Sequence, residues 1–209
     1  MSANRDPVLQ VQDVRFLDLG PYTIDAIYPG RIIGLTGPSG AGKSLFLQAL
    51  ADLIPHEGQV SLDGKKQQTW DAPTWRKWVM LVPAEPLWWH SRAEDHFPDQ
   101  HSFRLSSLGI EPSRLNAPVS ELSTGEKQRL SIARALSRRP RIVMFDEPTA
   151  NMDADNAARI EQCVLDYLKE ENAAAIWVTH DQSQLQRMAH RAYRLEPSHL
   201  VTLSIKDIQ

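Results

Sequence analysis

The sequence predicts an α/β fold, in which a mostly parallel β-sheet is covered by helices on both faces and preceded by an antiparallel β segment. Two observations predict it. Short apolar runs typical of buried strands alternate with segments whose apolar residues recur at helical spacing. A glycine-rich loop also stands between one such run and one such helix. We expect a single domain over residues 1–209, with a core formed by 1–85 and 123–209 and a short helical subdomain at 86–122.

The N-terminal residues predict the antiparallel segment. Residues 8–11 and 14–16 have the composition of a short β segment, and residues 22–27 alternate like its partner strand. Leu19-Gly20-Pro21 is the predicted turn between them. A second turn, at Pro29-Gly30, leads into the apolar run that precedes the glycine-rich loop.

The glycine-rich loop matches the pattern G-x-x-x-x-G-K-[ST] at every fixed position. Glycines let backbone amides approach phosphate oxygens closely, and the N-terminus of the following helix favours a polyanion. Lys43 is expected to reach the β- and γ-phosphates of a nucleoside triphosphate, and Ser44 to help hold Mg²⁺. The pattern therefore predicts a P-loop NTPase, whose phosphate-binding positions are Gly37, Pro38, Ser39, Gly40, Ala41, Gly42, Lys43, Ser44 and Leu45.

The middle of the chain predicts shorter elements. Residues 59–62 are expected to form a strand that ends at the turn Asp63-Gly64. A short helix at 75–78 precedes a buried strand at 79–82. From residue 86 to about 118 no strand pattern is present, and Pro, His, Ser and Arg are frequent. We interpret this stretch as a small helical insertion, with one short helix marked by Phe103, Leu105, Leu108 and Ile110.

The second half of the chain alternates helical and strand patterns. Asp153 is a good N-cap for the helix that we expect at 154–168. Asp181 is a good cap for the last helix, with Gln184 as its expected capping-box partner. The expected elements are helices at 126–136 and 154–168 and strands at 141–145, 174–179, 191–195 and 200–203.

Two acids end the strand predicted at 141–145. We expect this strand to lie beside the strand that enters the phosphate loop. Asp146 is then placed to complete the Mg²⁺ shell, directly or through water. Glu147 lies next to it, near the phosphate but off the metal, where a carboxylate can polarise the attacking water.

The segment Leu122-Ser123-Thr124-Gly125-Glu126 has two interpretations. As local structure it is a capping box, with Ser123 at the N-cap and Glu126 three residues on. A serine and a glycine at the start of a helix also form an anion-binding site. The two interpretations are compatible, since capping uses only some of the helix-terminal amides.

Five segments together resemble an ATP-binding cassette (ABC) ATPase in order and rough spacing. They are the phosphate loop, L-S-T-G-E-K-Q-R, I-V-M-F-D-E-P-T, A-N-M-D and V-T-H-D. The L-S-x-G-E-x-Q-R element is the specific one, because P-loop ATPases of other families lack it. The resemblance implies ATP and Mg²⁺ as cofactors and ATP hydrolysis as the activity.

The resemblance also implies roles for single residues and for partners. Ser123, Gly125 and Glu126 match the signature loop, in which the serine and glycine contact ATP bound by the opposite subunit of a homodimer. His180 matches the switch histidine that touches the γ-phosphate and joins Lys43 and Glu147 in catalysis. The chain is expected to drive an integral membrane permease from the cytoplasm, as a peripheral subunit on the cytoplasmic face of the cell inner membrane.

Two positions depart from the family pattern. Thr124 stands where glycine is usual, and a β-branched residue is poorly suited to positive φ. The glutamine normally found after the strand at 79–82 is absent. Ala84 stands in its place, and Glu85 is the nearest candidate for a metal-facing oxygen. The aromatic residue that stacks on adenine is expected to be Phe16, with Tyr22 as the second candidate.

Composition excludes several classes of protein. With 26 acidic and 23 basic residues, the chain has no charge excess typical of proteins that bind nucleic acid through phosphate contacts. The single cysteine, Cys163, excludes a disulfide framework within the chain and favours a reducing compartment. No apolar run approaches the roughly 18 residues of a spanning helix, and the N-terminus has no secretory pattern.

Five of the six tryptophans fall between residues 70 and 89, in the region where cassette ATPases of transporters contact the permease. We expect Trp75 and Trp78 to be core and the pair Trp88 and Trp89 to be an exposed docking surface. Two other functions stay open. One is a soluble ABC ATPase that acts outside transport, and the other is an ATP-switched binding module with little turnover.

Overall fold

A computed structural model describes residues 6–97, 104–150 and 152–205. Its strands form two sheets, one antiparallel and one mostly parallel. The strands are β1 (Leu9–Phe16), β2 (Leu19–Ile27), β3 (Ile32–Thr36), β4 (Glu57–Leu62), β5 (Lys65–Lys66), β6 (Val79–Val82), β7 (Ile142–Asp146), β8 (Ala174–Val178), β9 (Arg191–Glu196) and β10 (His199–Leu203).

The antiparallel sheet has the strand order β2-β1-β4-β5. The β1–β2 hairpin turns at residues 17 and 18, and Phe16 pairs with Leu19. The predicted turn at Leu19-Gly20-Pro21 is therefore wrong, because these residues belong to β2. The chain reverses earlier because Leu17 adopts a left-handed φ of 50°, and irregular register in the hairpin accommodates Gly20 and Pro21 within the strand.

The second sheet has the order β10-β9-β3-β8-β7-β6, and its strands are parallel except for β10. The α/β fold class is thus confirmed. The expectation that β7 lies directly beside β3 is wrong, because β8 lies between them and pairs with both. Every residue of β8 is buried and apolar, which suits this central position. The carboxyl ends of β3, β8 and β7 consequently meet at one edge.

Helices cover both faces of this sheet. Two clusters of buried apolar side chains lie on its opposite sides, one including Phe46 and Leu47 and the other including Ile160 and Val164. Burial also raises the pKa of the Cys163 thiol to about 11, which makes it unreactive. Among the described residues, no helix has the length and apolar character needed to span a membrane. The helices are α1 (Lys43–Leu50), α2 (Ala72–Trp78), α3 (Thr124–Ser137), α4 (Ala154–Glu170) and α5 (Gln182–Met188).

The insertion is less helical than predicted. Within the described part of residues 86–122, the chain forms 3₁₀ turns, a hydrogen-bonded turn at 105–109 and an isolated β-bridge between Arg92 and Pro118. Gly109, with φ of 65°, ends that turn, and the Ile110 N–H closes it on the Leu105 carbonyl at 2.8 Å. Leu105, Leu108 and Ile110 are all buried. Their spacing therefore comes from a single turn that packs into the core, and not from a helix. Phe103 lies outside the described residues.

Candidate active site

The phosphate loop connects β3 to α1, as predicted. Gly40 and Gly42 adopt φ of 77° and 96°, values that side chains disfavour, so the glycines are required by the backbone. Gly42 is also the N-cap of α1, and no side chain in the described part of the chain caps this helix. Its first amides therefore remain available to an anion. Ser39 and Ser44 are exposed along the loop.

Lys43 is buried within the loop that it ends. Its Nζ donates to the carbonyls of Gly37 at 2.8 Å and Pro38 at 3.0 Å. Burial lowers the pKa of the ammonium, and the negative charges of Glu147 and Asp146 oppose this shift. These charges act on Lys43 because both carboxylates lie at the same edge of the sheet. The loop thus presents a cation opposite two acids.

The two acids at the end of β7 have different backbone environments. Asp146 is the last residue of β7 and is only 8% exposed. Glu147 adopts a left-handed φ of 49°, and its N–H donates to the Val178 carbonyl at 3.1 Å. A non-glycine residue in this region is strained, and such strain concentrates at functional sites. The backbone therefore bends at Glu147, directly after β7 ends at Asp146.

Glu147 and His180 form a close pair. His180 Nε2 lies 2.8 Å from Glu147 Oε1, and the side chains are 32% exposed for Glu147 and 48% exposed for His180. His180 follows β8, and the Asp181 carboxylate beside it caps α5 by accepting from the Ser183 and Gln184 amides. The sequence predicts both residues separately as catalytic. The tertiary structure places them within hydrogen-bond distance.

The residues predicted to hold Mg²⁺ fit that ion only in part. Ser44 and Asp146 offer a hydroxyl and a carboxylate, which are the hard oxygen donors that Mg²⁺ prefers. No group of three His, Cys, Asp or Glu side chains in the described ranges has the geometry of a metal site. In proteins, Mg²⁺ that accompanies a nucleotide is usually held by one or two carboxylates together with substrate phosphates.

Glu85 is not brought to these donors. It lies exposed in a bend after β6, next to the exposed Ala84. Within the described residues, its carboxylate has no hydrogen bond or ion pair. Pro83, which precedes this bend, accepts a long hydrogen bond of 3.5 Å from Gln128 on α3. A metal-facing role for Glu85 therefore stays a prediction without a contact to support it.

The predicted adenine-stacking residues are both buried. Phe16 is 2% exposed and packs on Tyr22 and Phe46, with ring centroids at 5.7 and 6.1 Å. The Tyr22 hydroxyl donates to the Glu196 carbonyl at 2.9 Å. In this arrangement neither ring has a free face for a base. The exposed apolar side chain at this hairpin turn is Leu17, which is 76% exposed.

The signature segment forms the predicted capping box. The Ser123 hydroxyl accepts from the Glu126 amide at 3.2 Å, and a Glu126 carboxylate oxygen accepts from the Ser123 amide at 2.9 Å. Arg114 reaches the same carboxylate at 2.7 Å. Thr124 begins α3 without a positive φ, so its β-branched side chain meets no backbone penalty.

Glu126 should make stability depend on pH in the acid range. The Arg114 guanidinium and the Ser123 amide lower its pKa from 4.5 to about 2. The stabilisation is therefore complete above pH 4.5 and is lost as the pH falls toward 2. We expect Glu126→Gln to lower the free energy of unfolding by about 1 kcal/mol near pH 6 and to have little effect near pH 2.

Urea unfolding of both proteins between pH 2 and 6 measures this difference. In an Arg114→Met background, the effect of Glu126→Gln on the free energy of unfolding should shrink, because the main cause of the pKa shift is gone. An effect that stays constant across the pH range would show that the carboxylate charge does not stabilise the cap.

The space next to the Gly125 Cα, where a side chain would lie, is almost unfilled by other described residues. A Cβ at this position would have only Arg129 Nη1 near it, at 3.8 Å. The backbone φ is not positive either. Neither local packing nor backbone conformation therefore requires glycine.

The capping-box role expected for Gln184 is wrong. Asp181 caps α5 as predicted, but the Gln184 side chain turns inward instead of completing the box. It is 2% exposed and bonds to Trp177, Thr149 and Glu161. A cleft of about 690 Å³ lies beside this amide and extends to Glu147 and His180. No local pattern could have shown this, because the partners are far apart in the chain.

Comparisons with known proteins identify the family of this chain. Residues 25–150 match the family model described as ABC transporter. The probable iron export ATP-binding protein FetA of Escherichia coli is 30% identical over 208 residues, covering 91% of this chain and 92% of that protein. The phosphate import ATP-binding protein PstB of Aeropyrum pernix is 33% identical over 187 residues, covering 77% of this chain and 74% of that protein.

Solved structures have the same fold. A bacterial Atm1-family ABC exporter with ATP bound superposes with a TM-score of 0.84 at 22% identity, covering 100% of this chain and 40% of that one. A dimeric ATP-binding cassette in a post-hydrolysis state with ADP and Pi has a TM-score of 0.79 at 22% identity, covering 94% of this chain and 98% of that one. From the family match and the sequence relatives, the chain belongs to the ABC transporter family of ATP-binding proteins.

Proposed function

We propose that this chain hydrolyses ATP at the Glu147–His180 pair and that, as a homodimer, it drives a membrane permease. The observation that carries the proposal is the 2.8 Å contact between these side chains, at the sheet edge where the charges of Glu147 and Asp146 act on Lys43. A base, a hydrogen-bonding imidazole and a phosphate-binding cation meet there. This combination suits in-line attack of water on a terminal phosphate.

Each residue has a distinct task in this mechanism. The phosphate-loop amides and Lys43 bind the β- and γ-phosphates, and Lys43 leaves its two loop carbonyls to do so. Glu147 accepts the proton of the attacking water. His180 orients Glu147 through its Nε2 and lies against the γ-phosphate. Ser44 and Asp146 would hold Mg²⁺, which supplies positive charge against the phosphates when bound.

A second copy of the chain would complete each site. Ser123 is exposed, and Gly125 has room that its own chain does not fill. Ser123 and the first amides of α3 are thus accessible to a phosphate bound elsewhere. We propose that they contact the γ-phosphate held by the opposite subunit. Asp153, exposed at the N-cap of α4, would line the same interface.

A groove on another face suits the permease. It measures about 350 Å³ and lies between α2, β6 and α3, with an apolar floor that includes Met80 and Leu81. Trp89 beside it is 64% exposed. Trp88 is only partly exposed and packs on the core. The prediction of an exposed pair is therefore right for Trp89 and wrong for Trp88. Trp75 is core, as predicted.

Trp89 is held rigidly for an exposed side chain. Its ring lies 4.6 Å from that of the buried His96 and 4.9 Å from the Arg134 guanidinium. His96 Nε2 accepts from the Trp89 and His90 amides, both at 3.0 Å. A preordered aromatic loses little side-chain entropy on binding. We propose that Trp89 anchors a permease segment on the cytoplasmic face of the inner membrane.

Membrane association tests this proposal. Trp89→Ala should weaken binding to permease-containing membranes roughly tenfold, as loss of a central aromatic anchor does. Tyr28→Ala is the matched control, because Tyr28 is a 45% exposed aromatic that does not line the groove. Binding is measured by sedimentation with membranes, and melting temperatures confirm that both variants are folded.

The outcomes also separate the other functions. Equal binding of both variants would remove Trp89 from the permease contact. A wild-type chain that hydrolyses ATP and never sediments with membranes would indicate a soluble ABC ATPase. A chain that binds membranes and ATP with negligible turnover would indicate an ATP-switched binding module.

A further inference from the structure

Gln184 has one defined orientation in the protein interior. Its Oε1 accepts from Trp177 Nε1 at 3.0 Å, and its Nε2 donates to Thr149 Oγ1 and Glu161 Oε1, both at 2.8 Å. An indole N–H can only donate, and an ionised carboxylate can only accept. The amide therefore cannot flip without losing both of these hydrogen bonds.

Arg187 is hydrogen-bonded to the same Glu161 carboxylate as Gln184. It donates to Glu161 through Nη2 at 2.9 Å and Nε at 3.3 Å. Glu161 is 8% exposed, so this partner compensates a largely buried charge. We call Thr149, Glu161, Trp177, Gln184 and Arg187 the Gln184 network. It joins α4, α5, β8 and the loop after β7 through side chains alone.

Two members of the network lie close in sequence to Glu147 and His180. Thr149 lies two residues after Glu147, in a turn closed by the Ala150 amide on the Glu147 carbonyl at 3.1 Å. Trp177 lies in β8, three residues before His180. Gln184 itself stands in the first turn of α5. One amide thus connects the two segments that carry Glu147 and His180.

We propose that Gln184 is a positioning residue for hydrolysis, which sets the distance between Glu147 and His180. The proposal rests on the proposed function, because it assigns those two residues to the chemistry. Glu147 has a strained left-handed backbone, and strain of this kind persists only where the surroundings hold it. The hydrogen bond between the Thr149 and Gln184 side chains holds the segment that carries Glu147.

Two variants test it against a control that loses one buried hydrogen bond elsewhere in the chain. Gln184→Met keeps the length of the side chain and removes its polar atoms. Thr149→Val removes only the hydrogen bonding between Gln184 and the loop that carries Glu147. Tyr167→Phe is the control, because it removes one buried hydrogen bond on α4, from the Tyr167 hydroxyl to the Pro140 carbonyl at 2.7 Å. The measurements are kcat, ATP affinity and melting temperature.

We expect Gln184→Met to lower kcat roughly tenfold with ATP affinity within about twofold, since small misplacements affect the chemical step more than binding. Thr149→Val should act in the same direction. Tyr167→Phe should lose stability and keep its kcat. In a His180→Ala background, Gln184→Met should have no further effect, because the pair it positions is already broken.

Specific results would overturn the proposal. One is a wild-type kcat for folded Gln184→Met or Thr149→Val, and another is an undiminished effect of Gln184→Met in the His180→Ala background. Failure of the proposed function would look different, since His180→Ala and Glu147→Gln would themselves keep wild-type rates. If Gln184→Met does not fold, Thr149→Val alone decides the proposal.

Discussion

Replacing Lys43 with alanine should lower the ATPase rate of the purified protein by at least about 100-fold, the usual cost of removing one preorganised stabilising group. Lys43 is the ammonium of the phosphate loop, and its Nζ is held by the Gly37 and Pro38 carbonyls. With ATP bound, it is the group that neutralises charge on the β- and γ-phosphates. Alanine leaves the loop backbone but removes that charge.

The measurement is steady-state ATPase activity, with melting temperature as the check on folding. Lys169→Ala is the matched control, because Lys169 is exposed near the end of α4 and far from the loop in the chain. The control should keep the wild-type rate. Activity of Lys43→Ala within about threefold of wild type, about 0.7 kcal/mol of barrier, would remove Lys43 from the chemistry.

Replacing Glu147 with glutamine should lower turnover by roughly 100- to 10,000-fold while ATP still binds, because a general base contributes this much. Glutamine keeps the shape and accepts a hydrogen bond from His180 through its oxygen. It cannot take the proton of the attacking water. ATP should therefore persist in the site and hold two copies of the chain together.

Gel filtration with and without ATP measures the trapped dimer. The control is Glu111→Gln, an exposed acid in the insertion, which should hydrolyse ATP and dissociate like the wild type. A Glu147→Gln protein that binds ATP and remains monomeric would contradict the trans-acting role of Ser123. One that turns over ATP at the wild-type rate would contradict the base role of Glu147.

Local signals in the sequence predict several features correctly. The glycines of the phosphate loop, the cap at Ser123 and the cap at Asp153 each depend on residues at most a few positions apart. The backbone conformation at such positions is set by short-range sterics and hydrogen bonds. This is why both caps and the loop lie where the sequence predicts them.

Predictions that depend on distant packing are less accurate. Phe16 is the aromatic expected to stack on adenine, yet its ring packs with Phe46. The pattern at 105–110 predicts a helix, but only a turn forms before Gly109. In both places the sequence correctly indicates apolar character. The contacts that these side chains make depend on neighbours from other parts of the chain.

The sequence by itself determined the fold class and the phosphate loop, and it indicated the two acids at the end of β7 as candidates. These follow from hydrophobic periodicity and from motifs whose chemistry needs particular residues at short spacing. The role of His180 is implied only by the resemblance of V-T-H-D to the family pattern. The tertiary structure alone decided that β8 separates β3 from β7 and that His180 meets Glu147 at 2.8 Å. It also decided that Gln184 turns inward to Trp177 and Glu161. The physical reason is that strand order and buried hydrogen bonds are set by contacts between segments far apart in the chain, which no local pattern encodes.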